Sequence, residues 1–114
     1  MKNDLLDIQD LIIKFREERD WKQFHNLKDL LIGLNIEVAE LQELFLWKSN
    51  IEINNVKKDR IENEIADIFI FLTYIIKEFD IDLVSAVRKK IDLNNQKYPV
   101  EKSKGSNKKY TELK

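Results

Sequence analysis

The sequence predicts an all-α protein, a four-helix bundle-like domain, on three observations. Only 2 Gly and 1 Pro occur in 114 residues, too few for the many turns of a β-sandwich or barrel. Apolar residues recur at three- and four-residue spacing in four separate segments, the period of a helix with one buried face. Hydrophobic residues make up 43% and charged residues 36%, enough apolar material for one folded domain and far too much for a disordered chain.

The first segment is capped by Asn3 or Asp4 and carries Leu5, Ile8, Ile12 and Phe15 on one stripe, ending near Arg19. Asp20-Trp21-Lys22-Gln23-Phe24-His25 breaks the period and reads as a loop. Asn26 with Asp29 forms a capping-box-like start to a second helix that runs to about Lys48, with a seam of Leu27, Leu30, Leu31, Leu34, Val38, Leu41 and Phe45. A polar link, Ser49 to Asn55, leads to a third helix from about Val56 to Phe79, whose seam is Ile61, Ile65, Ile68, Leu72, Ile75 and Phe79. Asp82 caps a fourth helix through about Asn95, and Pro99 closes the regular structure. Short links make consecutive helices antiparallel neighbours. Residues 1–100 are expected to form a single domain and 101–114 a basic tail.

Composition narrows the chemistry. The absence of Cys removes disulfides, thiolate zinc sites and cysteine nucleophiles, and a single His removes the usual histidine-rich metal sites. Di-iron helical bundles need ExxH motifs, and His25 lies in a loop. Neither a Ser-His-Asp arrangement nor a GxxxxGK[ST] phosphate loop is available. Any metal must therefore be held by oxygen. No apolar run reaches the roughly 20 residues of a membrane span, and MKNDLLDIQD lacks the order of a secretory signal, so a cytoplasmic location is expected. The formal charge of −1 is unevenly spread: from Lys97 onward six Lys face only Glu101 and Glu112, a net +4, which leaves residues 1–96 at net −5. An acidic body with a basic end fits neither a nucleic-acid binder nor a membrane-surface helix.

The carboxylates are the informative feature. At about 100° per residue, Glu37, Glu40, Leu44 and Trp47 fall on one stripe beside the second helix's apolar seam, with Glu43 further round. Glu64, Asp67 and Phe71 share an equivalent stripe on the third helix. Two i,i+3 acidic pairs facing each other would repel and lose hydration unless a cation sits among them. Oxygen ligands of this kind select a hard ion, Mg²⁺ by default with Mn²⁺ as a substitute. The bland alternative is that these are ordinary charges on solvated faces, and the chain then a non-enzymatic helical oligomerisation or binding module.

The ExxE of Glu37 and Glu40 followed by the ExxD of Glu64 and Asp67 resembles the MazG-like all-α NTP pyrophosphohydrolases. The strings Arg19 to His25, Glu43 to Lys48, Asn94 to Pro99, Lys104-Gly105-Ser106 and Lys109-Tyr110-Thr111 resemble its dCTP pyrophosphatase branch, over nearly the whole chain. The resemblance implies a Mg²⁺-dependent conversion of dCTP, or a modified dCTP, to the monophosphate and pyrophosphate, a nucleotide-pool house-cleaning activity. It assigns Glu37, Glu40, Glu64 and Asp67 to the metal and to catalysis, with Glu40 a candidate for taking the attacking water's proton. It places Trp21, Trp47, His25 and Asn94 around the base, with Trp47 about two helical turns beyond Glu40. Phe71 stands where mammalian-type members carry Tyr, which removes a hydroxyl contact to sugar or base. Lys90, Lys97, Tyr98, Lys108, Lys109 and Tyr110 are the candidates for the triphosphate. The family forms dimers and tetramers, and helices apolar nearly all round need more cover than one small chain supplies; a homotetramer is expected, otherwise a dimer.

Overall fold

The computed structural model describes residues 3–114, and among them all regular structure is helical. Four long helices are present: α1 (Asp4–Glu18), α2 (Leu27–Glu43), α4 (Lys58–Glu78) and α5 (Leu83–Lys97). Two single-turn helices, α3 (Asn50–Ile53) and α6 (Val100–Ser103), and 3₁₀ turns at Lys22–Phe24 and Tyr110–Glu112 complete the order. The all-α expectation holds.

Local chemistry sets most of the starts. Asn3 Oδ1 accepts from the Leu6 amide at 3.2 Å, Asn26 Oδ1 from Asp29 at 2.9 Å, and Asp82 Oδ1 from Ser85 at 3.1 Å, so each expected cap satisfies a donor that the helix leaves free. Asn26 Nδ2 also donates to Asp29 Oδ2 at 2.7 Å, tying the first turn of α2 from both sides.

Three boundaries differ from the expected ones. The second helix stops at Glu43, not Lys48. The backbone then tightens into successive i→i−3 turns, with Leu44, Phe45 and Leu46 amides donating to Leu41, Gln42 and Glu43 carbonyls, and Trp47 takes a left-handed φ of 63°. The polar link is not bare: Ser49 Oγ caps α3 through the Glu52 amide at 3.2 Å. Pro99 does not end the regular structure but precedes α6 at φ −56°, the ring-fixed angle that suits a helix start.

The chain divides into two compact units, one ending at Asp80 and one spanning Ile81–Lys114. In the first, α2 and α4 form the principal packing pair and α1 lies against α4. At Gly33 the pair is in close contact, because a Cβ there would overlap the Phe71 ring. Glu40 of α2 meets Glu64 of α4, so moving seven residues toward the end of α2 moves seven back along α4, and the two helices are antiparallel. Leu30, Leu44, Tyr74 and Ile76 are the buried hydrophobic residues, joined by Gln9, Arg16 and Thr73, whose polar groups lie inside. Much of the expected seam stays open: Leu31, Val38, Ile65 and Phe79 are all exposed.

In the second unit α5 buries none of its residues, and the basic end folds beside its last turn. Tyr98 packs edge-on against Tyr110 with ring centroids 5.9 Å apart, and Lys97 Nζ lies 5.0 Å from the same ring. Gly105, at φ 77°, makes the turn between α6 and this contact.

Candidate metal and nucleotide site

Antiparallel packing of α2 on α4 brings three of the four predicted carboxylates together. Glu37, Glu40 and Glu64 each offer an oxygen, and these lie within 4.8 Å of one another. Helical spacing is the cause: Glu37 and Glu40 are nearly one turn apart on α2, and Glu64 projects from the facing turn of α4. Asp67 is exposed and stands outside this closest group, but its charge acts on both Glu37 and Glu64.

The electrostatics are those of anions crowded out of water. Burial raises the Glu37 carboxyl to about 7, helped by a hydrogen bond with Glu40 and by the charges of Asp67, Glu40 and Glu64. Burial also raises Glu64, again with a Glu40 hydrogen bond and then the charges of Glu40, Asp67 and Glu43. Glu37 Oε2 and Glu64 Oε2 are both inaccessible and have no hydrogen-bond partner. Two orphaned carboxylate oxygens beside a third carboxylate, with none of the three in a salt bridge among the described residues, are a donor set that fits a hard divalent cation.

Along α4 from this cluster, about two and three turns further, the pair becomes aromatic. Phe71 rests on Gly33 and meets Tyr74 edge-on at 6.0 Å. The His25 ring tilts against Tyr74 at 4.6 Å, and the Arg16 guanidinium sits 5.1 Å from the same ring centre. Arg16 is 5% exposed, and its Nε and Nη2 donate to Glu17 Oε1 at 3.2 and 3.0 Å. Burial lowers the His25 pKa, the Arg16 charge lowers it further, and Glu17 partly opposes them, which keeps the imidazole neutral. Its Nδ1 is enclosed without a partner. Sequence reasoning placed His25 near a pocket but missed Arg16 and Tyr74, whose interest comes only from this stacking. Leu11, Ile12, Phe15, Ile70 and Tyr74 also line an apolar cavity of about 220 Å³.

The two tryptophans are not brought together within the chain. Trp21 packs edge-on against Phe15 at 5.6 Å, just before α2. Trp47 follows the other end of that helix and is 91% exposed. The left-handed turn removes it from the Glu40 stripe on which helical continuation would have placed it. A helix of 17 residues separates them, about 25 Å at 1.5 Å per residue. In the second unit, Lys90, Asn94 and Lys97 share one face of α5, Lys97, Tyr98 and Tyr110 meet at its end, and Lys108 and Lys109 precede the last 3₁₀ turn.

Fold and cluster together define the class: an all-α protein whose central antiparallel helix pair carries an interhelical carboxylate group suited to a cation. Residues 32–113 match the MazG-like family profile, and the chain belongs to that family. It is 44% identical to mouse dCTP pyrophosphatase 1, over 96% of this chain and 67% of the mouse protein, and 39% identical to the human protein of the same name over the same shares. A crystal structure of a pyrophosphatase from Archaeoglobus fulgidus superposes with a TM-score of 0.80 at 35% identity, covering 87% of this chain and 95% of that one.

Proposed function

We propose that this protein is a nucleoside triphosphate pyrophosphohydrolase that converts dCTP, or a modified dCTP, to the monophosphate and pyrophosphate, and so clears unwanted nucleotides from the pool. The observation that carries the reading is the Glu37, Glu40 and Glu64 cluster with its orphaned oxygens, in a chain whose relatives are named dCTP pyrophosphatases.

Glu37, Glu40, Glu64 and Asp67 are the residues that would hold Mg²⁺, or Mn²⁺ in its place. When bound, the ion supplies charge neutralisation at the phosphates and a lowered pKa for water. The chain's own residues do the rest. Glu40, placed between Glu37 and Glu64, is the candidate to accept the proton of a water attacking the α-phosphorus. The new O–P bond forms as the bond from that phosphorus to the bridging oxygen breaks, and pyrophosphate leaves with the electron pair. His25, Trp21, Trp47, Asn94 and Phe71 are assigned to the base, the first held neutral against Tyr74. Lys90, Lys97, Tyr98, Lys108, Lys109 and Tyr110 are assigned to the phosphates. Phe71 lacks a hydroxyl, so its contribution is packing alone.

A homotetramer, otherwise a dimer, fits the small buried core and the uncovered apolar residues of α5. It also reconciles the tryptophans, since a base held between Trp21 and Trp47 needs the latter from a second copy. Light scattering after size exclusion checks this, and a monomer would overturn it. Incubation with each dNTP and Mg²⁺, following monophosphate and pyrophosphate, tests the activity. Turnover with dCTP among the preferred substrates is expected. No turnover of any triphosphate, with helicity intact, would sink the enzyme reading in favour of an assembly module.

A further inference from the structure

Beyond the carboxylates, at the α3 end of the α2–α4 pair, lies an open pocket of about 460 Å³ lined by Lys48, Glu52, Asn55, Val56, Lys57 and Arg60. Three of its side chains are cationic and one is anionic. Among the described residues none of Lys48, Lys57 and Arg60 takes part in a salt bridge, whereas the neighbouring Lys58 pairs with Glu62 at 3.7 Å. Three unpaired cations converging on one cavity repel each other, and an anion relieves that repulsion.

Its position relative to the carboxylates follows from the helix. At 100° per residue Lys57 lies within about 20° of Glu64 around α4, and Arg60 within about 40°. Arg60 is about 6 Å and Lys57 about 10 Å along the axis from Glu64, on the side away from Phe71 and Tyr74. Lys48 arrives from the other helix, where the turns after Glu43 and the left-handed Trp47 redirect the chain. Along the axis of α4 the order is therefore Tyr74 with His25 against it, then Glu64 of the carboxylate cluster, then Arg60 and Lys57 of the cationic pocket. A nucleoside triphosphate has the same order: base, reacting phosphate, terminal phosphates.

We propose that Lys48, Lys57 and Arg60 form the subsite for the terminal phosphoryl groups of the triphosphate and, after cleavage, for pyrophosphate. This rests on the proposed pyrophosphohydrolase reading and adds to it a phosphate site on the helix pair. Arg60 supplies a planar fork that can grip two phosphate oxygens, and the lysines supply point charges. Against the three cations Glu52 is a single anion, and the net positive charge that remains attracts a polyphosphate more strongly than a single phosphate.

The test is calorimetric titration of the full chain with inorganic pyrophosphate in Mg²⁺, for wild type, the double variant Lys57→Gln/Arg60→Gln, and Lys58→Gln. All three positions are exposed, and circular dichroism verifies folding. The double variant is expected to raise the pyrophosphate Kd at least tenfold and the KM for the triphosphate by a similar factor, while inhibition by dCMP shifts less than twofold. Lys58→Gln is expected to change the pyrophosphate Kd less than twofold. No pyrophosphate binding by wild type, equal weakening by Lys58→Gln, or parallel loss of dCMP affinity would each overturn the subsite. The parent reading fails separately, through absence of wild-type turnover in the nucleotide panel, and pyrophosphate titration still decides the pocket in that case.

Discussion

The two ends of the α2–α4 pair solve opposite problems with the same helical geometry. At the Gly33 end the helices touch, Phe71 fills the space a Cβ would need, and even the charged Arg16 is enclosed by Tyr74 and Glu17. Four to seven residues along α2, and seven back along α4, the same contact face carries Glu37, Glu40 and Glu64, whose mutual repulsion works against packing. The closed end secures the register, and the open end uses that register to hold like charges a few ångströms apart. Without Gly33 and Phe71 in contact, the carboxylates would be free to move away from one another.

Breaking the open end should have the largest effect. Glu40→Gln or Glu64→Gln removes a charge from the cluster at constant shape and is expected to lower dCTP turnover at least a thousandfold. The same changes should raise the melting temperature of the cation-free protein, because they remove repulsion. Melting curves in a chelator check this, and a lower melting temperature would contradict the account.

The closed end should respond with stability in place of chemistry. Gly33→Val forces a branched side chain into the Phe71 ring and is expected to cost about 1–3 kcal/mol, with Gly33→Ala milder because alanine's helix propensity returns up to about 1 kcal/mol. Combining Gly33→Ala with Phe71→Leu should cost less than the two separate losses together, as denaturant titration would reveal. A smaller loss, about 1 kcal/mol, is expected for Asn26→Ala, which removes the cap that starts α2.

A pH series sharpens the contrast further. Folded Glu37 keeps its proton to about 7, whereas the unfolded chain releases it near 4.5. Between those values the folded state binds more protons, so the Glu37 contribution to stability falls as pH rises through the window. His25 acts in the opposite sense: its pKa is lowered on folding, so below 6.5 the unfolded state takes up more protons and stability falls with falling pH. The difference between wild type and Glu37→Gln isolates the carboxylate. In a chelator that difference should grow from pH 5 to 7.5, with the variant increasingly the more stable, and a flat difference would contradict the shift.

What the sequence made legible was local or periodic. Asn3, Asn26 and Asp82 cap their helices because a side-chain acceptor needs only the amide three residues on. Glu37, Glu40 and Glu64 were readable because helical periodicity fixes their faces, and two successive helices with short links tend to pack. The early end of α2 was not readable, since no Gly or Pro follows Glu43 and the left-handed residue that completes the turn is Trp47. Lys48, Lys57 and Arg60 escaped notice for a related reason: their convergence depends on how the chain crosses α3, and no repeat of 3.6 spans that link. Arg16 and Tyr74 belong to no motif that singles them out, and only the packing of α1 on α4 makes them a stack around His25.

The most direct test of the central claim, that the α2–α4 carboxylates serve cleavage between the α- and β-phosphates, is ³¹P NMR of dCTP incubated with the protein and Mg²⁺. Resonances of dCMP and pyrophosphate are expected to appear together in equal amounts, and to be absent with Glu64→Gln. Formation of dCDP with orthophosphate, or unchanged dCTP with folded wild-type protein, would contradict it.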